Sequence, residues 1–422
     1  MVRTQVGTNW SGNYAYRAHA LHRPQTLGEL QDLVAGPRSV RALGSRHSFT
    51  AIADGDELVA LDALPGVIEI DSTGETVSVP GHTTYAVLAE ELSRHGRALH
   101  SMASLPHISV AGAIATATHG SGDDTGNLAT AVRAVEMVSP AGEHVRVAEG
   151  DADFEGVVVG LGCLGVVTRV TLAVQPFFEM RQLVFEGVGW DRLLERLDEI
   201  FSAGESVSVF HRCGATTEQV WVKRREYESR EDDGDLAELL GIAPATAAVH
   251  PVPGADPVNC TEQLGAPGPW SERLPHFRSG FTPSSGEELQ SEFFVARADA
   301  VAAIEVVRGL AEAIVPHLLV SELRTIAGDA LWLSPQQGRD TLAIHFTWRR
   351  RPAEVEAVVS QIEAGLARFA ARPHWGKVFT AEAAALAPLY PRMAAFRDLR
   401  ERMDPNRAFV NDWLRQRVLG SA

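Results

Sequence analysis

ALHSMASLPHISVAGAIATATHGSG, residues 98–122, carries no Asp, Glu, Lys or Arg, and Gly, Ala, Ser and Thr dominate it. Small side chains let the backbone approach a ligand closely, and successive backbone N–H groups form concave sites that bind anions. The composition therefore favours a segment that lies against a pyrophosphate. A buried connection packed between two layers is the alternative at this point.

The sequence pattern changes near residue 175. We call the residues before this point the first region and those after residue 181 the second region. After residue 181, longer helical patterns mix with strands: residues 190–201 are amphipathic, and strands are predicted near 318–326 and 341–348. Residues 224–269 are rich in charge and then in Pro and Gly, so we expect a long loop there. In the first region a helical pattern covers 85–95, and β-type runs lie at 39–44, 57–61, 67–71, 76–80, 131–139, 143–148 and 165–174.

Length and composition predict a two-domain protein of the cytoplasm. A chain of 422 residues exceeds what one hydrophobic core usually supports. A net charge of −16 would repel nucleic acid, and no sequence feature demands a protein partner. The three cysteines, Cys163, Cys213 and Cys260, are too few for a disulfide scaffold and fit a reducing compartment. The N-terminus lacks the apolar core of a signal peptide, and we expect no membrane span.

A literal GxGxxG occupies residues 160–165 and suggests a Rossmann dinucleotide turn. In a Rossmann unit the last glycine opens a helix whose N-terminus faces the pyrophosphate. Here VVTRVTLAV follows at 166–174, which is a β-branched strand pattern. The context therefore excludes a Rossmann turn.

A third feature is ALGSRHSF at 42–49, in which a β-type run ends in Gly44 and Ser45 before His47. A loop histidine beside an arginine is usually exposed to solvent or hydrogen-bonded locally. His47 becomes a candidate for chemistry because the same chain also carries the small-residue stretch and the glycine-rich turn.

Four segments in this order and spacing resemble the vanillyl-alcohol oxidase family of flavoproteins. They are LGSRHSF, SMASLPHISVAG, ATATHGSG and LGCLGVVT, and the later SELRTI, AIHFTW and RPHWGKVF resemble its alditol (xylitol) oxidase branch. The resemblance covers nearly the whole chain. It implies an α+β fold with an FAD-binding domain and a mixed α/β substrate domain.

The resemblance implies FAD joined through its 8α-methyl group to His47. Residues 1–177 and 376–422 would form the FAD-binding domain and residues 178–375 the substrate domain. Arg46 departs from the pattern, where we expect a glycine, and could touch a phosphate or point to solvent. The implied flavin contacts are Ala42, Leu43, Gly44, Ser45, Arg46, His47, Ser48, Ser104, Ser109, Gly112, Thr116, Ala117, Thr118, His119, Gly162 and Val167.

Alternation along the two later strands places polar side chains on one face. Residues i and i+2 share a face, so Glu322 lies beside Arg324, and His345 lies beside Thr347. A sheet with one face in water would show the same pattern. The set has no solubilising lysine, however, and it matches the substrate-binding positions that the resemblance implies, so we favour a pocket wall. The resemblance also places Lys377 beside the flavin.

The implied activity converts a primary hydroxyl of an alditol, such as xylitol or sorbitol, to the aldehyde by hydride transfer to flavin N5, and oxygen becomes hydrogen peroxide. By resemblance, Arg324 and Lys377 would act at the reacting oxygen and Glu322 at a neighbouring hydroxyl. Hydroxyls further along the substrate would be held by Ser104, His345 and Thr347. Ala103 is small, and we expect it to leave a path for oxygen to the ring.

Three other functions stay open. A sugar-lactone oxidase or dehydrogenase of the same superfamily would share the fold and cofactor. A flavin-binding protein without turnover would share the cofactor alone. A metalloenzyme could use His100, His107 and His119, but no HxxxH or Cys spacing supports a metal, and we expect none.

Overall fold

The computed structural model describes residues 6–226, 232–280 and 288–420. Its strands are β1 (Ala20–His22), β2 (Val40–Ala42), β3 (Glu57–Val59), β4 (Glu69–Ile70), β5 (Thr76–Pro80), β6 (Arg97–Ala98), β7 (Val132–Val138), β8 (His144–Ala148), β9 (Val166–Ala173), β10 (Gln175–Pro176), β11 (Glu179–Glu186), β12 (Ser206–His211), β13 (Gln219–Arg225), β14 (Gly268–Pro269), β15 (Glu288–Ala296), β16 (Leu318–Ile326), β17 (Thr341–Arg349) and β18 (Arg372–Pro373). The α-helices are α1 (Leu27–Val34), α2 (Tyr85–Arg94), α3 (Val110–Ala115), α4 (Phe154–Val158), α5 (Trp190–Glu195), α6 (Leu197–Phe201), α7 (Asp232–Leu240), α8 (Ala300–Gly309), α9 (Ala311–Ile314), α10 (Pro352–Leu366), α11 (Ala383–Leu386), α12 (Met393–Met403) and α13 (Asp412–Leu414).

In the described part of the chain, the first region contains two larger sheets and a two-stranded antiparallel sheet of β6 and β10. Strands β1, β3 and β2 pair in parallel, and an antiparallel sheet has the order β4-β5-β9-β7-β8. Along β9, buried residues alternate with partly buried ones, as expected for a strand with one face on the core. Since β9 follows the GxGxxG directly, no helix opens there, and the exclusion of a Rossmann turn is confirmed.

The second region is built on an antiparallel sheet. Among the described residues its order is β14-β11-β13-β12-β16-β17-β15-β18. The apolar side chains of Leu323, Ile344 and Phe346 are fully buried on one face, on the side where α8 and α10 cover the sheet. The other face carries the polar side chains and looks toward the first region.

After β18 the chain returns to the first region. Phe409 packs in a cluster with Val40 and Val59, and the Arg41 guanidinium donates to the Phe409 carbonyl at 2.8 Å. The side-chain amide of Asn411 donates to the carbonyl of Asp54 at 2.7 Å. The segment just before α13 therefore lies against β2, β3 and the connection between them.

Most of the strong patterns predict the right elements, and two differ. Residues 190–201 form two helices with a break at Arg196. The predicted loop at 224–269 contains α7, so that prediction is wrong there; residues 227–231 lie outside the described part. Leu236 and Leu240 explain α7, because residues four apart share a helix face and both are buried.

Within the described residues, no helix is long and apolar enough to cross a membrane.

Candidate active site

A cavity of about 650 Å³ lies between the loops of the first region and the polar face of the second. The predicted flavin-contact residues line it, with the exception of Ala117, which is fully buried. All the residues predicted to bind substrate line the same cavity: Ser104, Glu322, Arg324, His345, Thr347 and Lys377. One space therefore brings together both sets of predicted residues.

The wall on the first region is built by close approach of backbone segments. A Cβ atom at Gly44 would lie 2.6 Å from the Ser109 hydroxyl oxygen, and one at Gly112 would lie 2.8 Å from it. At Gly81 a Cβ atom would lie 2.8 Å from the Val167 carbonyl. The buried Ser109 hydroxyl has no protein partner, which is rare for a buried polar atom. These features fit a cofactor that fills the cavity and supplies the missing partner.

His47 lies in this wall with both ring nitrogens buried and without a hydrogen-bond partner. Its ring stacks on Trp10, with 5.5 Å between centroids, and lies 4.8 Å from the ring of His107. Burial, reinforced by His107, lowers the pKa of His47 to about 4. The imidazole is therefore neutral near pH 7 and has a lone pair available.

Arg46 has φ +62°, a backbone conformation that favours glycine. Its guanidinium donates to the Val6 carbonyl at 2.9 Å, and its own carbonyl accepts from the Trp10 N–H. The side chain therefore ties down the N-terminal segment. Arg46 also lines the cavity, and it is only partly exposed, so it does not simply point to solvent.

Strand register assembles the opposite wall. Glu322 of β16 pairs with His345 of β17, and His345 pairs with Glu292 of β15. Directly opposed residues of antiparallel strands project from the same face with Cβ atoms about 4.5–5.5 Å apart. The three side chains consequently form a row across the sheet.

Glu292 is the buried centre of this row, and sequence reasoning missed it. One carboxylate oxygen accepts from the Lys377 ammonium at 2.7 Å, and the other accepts from the Arg324 guanidinium at 3.2 Å. His119 Nε2 lies 3.2 Å from the first oxygen. Burial would raise the pKa of Glu292, but the charge of Lys377 and the contact with His119 hold that pKa well below its ordinary value. Glu292 is therefore an anion shared by both cations.

The cations also contact the predicted substrate-binding residues. Arg324 donates to the Ser104 hydroxyl at 3.3 Å, which links the two walls. Lys377 Nζ lies 2.8 Å from His345 Nδ1, and His345 Nε2 lies 3.2 Å from the Thr347 hydroxyl. Burial, with the charge of Lys377, lowers the pKa of His345 to about 4. A neutral His345 therefore accepts from Lys377 and donates to Thr347.

Glu322 is ionised and held from two sides. It lies 2.8 Å from His276 Nε2 and 3.4 Å from Arg324 Nε. Burial would raise its pKa, but Arg324 and His276 lower it far below the ordinary value. Glu322 and Arg324 are each 5% exposed, and His345 is 6% exposed. Bulk water does not cover this face, so the alternative of a solvent-facing sheet is wrong.

The histidines of the metal-site alternative do not come together. His107 lies beside His47, and His100 Nε2 lies 3.2 Å from the Asn127 carbonyl. Among the described residues, His119, Glu292 and His374 place their donor atoms within 4.8 Å of one another. A metal ion there would have to share Glu292 with Lys377 and Arg324.

Glu292, His276 and His374 had signals of unequal strength in the sequence. Glu292 stands in SEFFV at 291–295, where a carboxylate interrupts an apolar strand, and this was a usable signal. His276 in LPHF and His374 in RPHW lie in irregular segments, where no periodicity assigns a face.

The fold and the site are those expected of a flavin-binding protein, and comparison with known proteins identifies its family. Residues 18–148 match the family described as FAD binding domain, and residues 289–417 match the family described as D-arabinono-1,4-lactone oxidase. The chain is thus similar to FAD-dependent oxidoreductases in both regions.

Individual relatives give the family. An alditol oxidase from Streptomyces sp. is 48% identical over 98% of this chain and 99% of its own. L-gulono-1,4-lactone dehydrogenase from Mycobacterium tuberculosis is 29% identical, over 98% of this chain and 99% of its own. A solved structure of cholesterol oxidase from B. sterolicum has the same fold, with a TM-score of 0.77 at 13% identity, over 97% and 96% of the two chains. The chain belongs to the alditol oxidase branch of the vanillyl-alcohol oxidase family of flavoproteins, which confirms the predicted family and the α+β fold class.

Proposed function

We propose that this protein oxidises a primary hydroxyl of a small alditol, such as xylitol or sorbitol, to the aldehyde. The alditol oxidase relative at 48% identity supports this activity. The observation that carries it is the meeting of Arg324, Lys377 and Glu322 at the cavity that the flavin-contact segments also line. Oxygen would be the acceptor and hydrogen peroxide the second product, so that alcohol and oxygen give aldehyde and peroxide in equal amounts.

The wall of the second region, here called the charged wall, contains Arg324, Lys377, Glu292 and Glu322. These residues would have different roles. Bound FAD would take up the hydride that leaves the carbinol carbon, which is chemistry that only a cofactor supplies. Arg324 and Lys377 would donate to the reacting oxygen and stabilise the negative charge that develops there. Glu292 holds these two donors in place, because it contacts both. Glu322 would accept from the neighbouring hydroxyl.

Further hydroxyls would meet Ser104, His345 and Thr347. Each of these side chains is tied into the network around Arg324 and Lys377, so their polar atoms are oriented before substrate arrives. A ligand without matching hydroxyls would leave buried polar groups unpaired, which costs binding free energy. The site would therefore select polyols over simple aliphatic alcohols.

The wall on the first region would hold FAD, covalently through His47. The neutral buried imidazole, both of whose nitrogens lack a partner, supports the attachment. The flavin contacts would be the cavity-lining members of the predicted set. The proposed FAD-binding domain comprises residues 1–177 and 376–422, with the substrate domain at 178–375, and the return of Phe409 and Asn411 to the N-terminal strands supports this division.

The attachment is tested by denaturing the holoenzyme in acid and separating it on a gel. We expect flavin fluorescence at the mass of the chain and its loss in His47→Ala. His107→Ala is the matched control, because it removes the neighbouring ring and keeps His47. Flavin that washes out of the wild-type protein with denaturant would contradict the covalent link.

A sugar lactone is the second candidate substrate, because residues 289–417 match the D-arabinono-1,4-lactone oxidase family. Initial rates of peroxide formation with xylitol, sorbitol and L-gulono-1,4-lactone separate the two. We expect a higher kcat/KM for the alditols. A higher value for the lactone would replace the proposed substrate, and flavin reduction without peroxide would replace the proposed acceptor.

Two remaining proposals concern the metal and the compartment. We propose a reaction without a metal, since both oxygens of Glu292 are engaged by cations. Metal analysis of active holoenzyme tests this.

We also propose that the protein resides in the cytoplasm, which the three free cysteines support. Fractionation of cells that express the full-length gene tests the location.

A further inference from the structure

The distribution of lysine in this chain is unusual. Of 38 basic residues other than histidine, 36 are arginine, and the two lysines are Lys223 and Lys377. Lys377 lies in the charged wall. Lys223 lies on β13 of the same sheet and is 1% exposed, and it is not among the residues that line the cavity. Both lysines are thus interior, where a surface role does not account for them.

Backbone carbonyls surround the Lys223 ammonium. Its nitrogen lies 2.7 Å from the carbonyl oxygens of Arg273 and Leu274 and 2.9 Å from that of Pro275. An ammonium group has three protons to donate, and a neutral amine has two. Three acceptors at these distances therefore match the charged form.

His276 connects Lys223 to the active site. Its Nδ1 lies 3.3 Å from the Lys223 nitrogen, and its Nε2 lies 2.8 Å from Glu322. The ring is packed between Phe210 and Trp221, with centroids 5.5 and 5.3 Å away. Facing an ammonium, Nδ1 must present its lone pair, so the proton of the neutral ring lies on Nε2 and is donated to Glu322.

We propose that Lys223 and His276 are positioning residues of the active site: charged Lys223 fixes the tautomer of His276, which in turn holds Glu322 ionised and aimed into the cavity. The kinetic part rests on the proposed function, in which Glu322 binds a substrate hydroxyl. If Lys223 loses its proton, Nδ1 no longer faces a cation, and the donor toward Glu322 is no longer enforced.

Several groups set the charge of Lys223. Burial lowers its pKa to about 7, Glu322 and Cys260 oppose that effect, and Arg324 and Arg273 reinforce it. The His276 ring also faces Lys223, and burial lowers the pKa of His276 to about 4. The lysine is thus charged at low pH, and the enforced tautomer is lost as pH rises through the pKa of Lys223.

The scarcity of lysine makes a direct test possible. Holoenzyme labelled with ¹³C at the lysine ε-carbon should give two resonances, and Lys223→Met assigns them. We expect the chemical shift of an ammonium for Lys223 at the pH of fastest flavin reduction, and a ¹⁵N spectrum of His276 with the proton on Nε2. A neutral Lys223 at that pH would overturn the proposal, and so would the proton on Nδ1. Both readouts use wild-type protein, so they decide the matter even where a variant fails to fold.

Steady-state kinetics test the link to Glu322. Lys223→Met should lower kcat/KM for sorbitol roughly tenfold, because a hydrogen bond to a charged group is lost, and should remove the alkaline limb of the pH profile. His276→Gln keeps an N–H donor that needs no lysine, so the double variant should be no worse than His276→Gln alone. His211→Gln, a buried histidine of β12 outside the cavity lining, is the matched control and should keep wild-type kcat/KM.

Other kinetic results would count against the proposal. A Lys223→Met variant with an unchanged pH profile would overturn it, and so would full additivity of the two substitutions. Failure of the proposed function looks different: no polyol would reduce the wild-type flavin, while the spectra of Lys223 and His276 would still report the enforced tautomer.

Discussion

The two walls of the cavity are built in opposite ways. The wall from the first region contains the uncharged stretch 98–122, and its glycines approach the Ser109 hydroxyl and the Val167 carbonyl closely. The wall from the second region is a network of ionised side chains centred on Glu292. The first wall depends on small residues at its close approaches and the second on the pairing of charged side chains. An added methyl group should therefore disturb the first wall, and a lost charge the second.

The largest effect on stability should come from Glu292. Glu292→Gln leaves Lys377 and Arg324 buried beside a neutral amide, and removing one partner of a buried ion pair costs about 3–5 kcal/mol. Denaturant unfolding of the holoenzyme measures the change. Glu305→Gln, on the exposed side of α8, is the matched control and should stay within about 0.5 kcal/mol of wild type. A loss below about 1 kcal/mol for Glu292→Gln would mean that the cations do not depend on this carboxylate.

A smaller effect is expected from one methyl group in the other wall. The added Cβ of Gly81→Ala would lie 2.8 Å from the Val167 carbonyl and 3.1 Å from Ala111, and such overpacking typically costs about 1–3 kcal/mol. The variant should also retain less flavin, measured by absorbance per chain. Gly189→Ala is the control, since it has φ −65° and nothing within 4 Å of the new atom. Equal flavin content in both variants would refute a tightly fitted wall.

The smallest effect is that of one pH unit on one buried histidine. Burial lowers the pKa of His211 to about 3 and those of His276 and His345 to about 4. Below pH 6.5 the unfolded chain binds protons that the folded chain rejects, so stability should fall as pH drops from about 6.5 toward 4. Each histidine contributes at most about 1.4 kcal/mol per pH unit.

The midpoint of denaturant unfolding at pH 7, 6 and 5 measures this decline. Glu292 and Glu322 do not cause it, because their lowered pKa values remove stability only at pH values below the ordinary range of a carboxyl. A midpoint that is constant over this range would show that the buried rings take up protons in the folded state.

The same contrast explains what could be predicted from the sequence. The wall of the first region could be predicted because its sequence signals are local. Residues 98–122 form one continuous stretch, and the strand after residue 165 forms another. Alternation also placed Glu322 beside Arg324. The pairing of Glu292 with Lys377 could not be predicted, because it joins residues 85 positions apart through the register of strands that periodicity alone does not order. Strand order is a property of the whole sheet.

In the proposed mechanism, Arg324 and Lys377 stabilise the charge that develops on the reacting oxygen. The most direct measurement is the limiting rate of flavin reduction by sorbitol, followed anaerobically in a stopped-flow instrument, for wild type, Arg324→Ala and Lys377→Met with intact flavin. Loss of one such donor typically costs ~10²–10³-fold in rate, and we predict a loss of that size in each variant. A wild-type limiting rate in both variants would contradict the account, because these residues would then bind substrate without acting in the transition state.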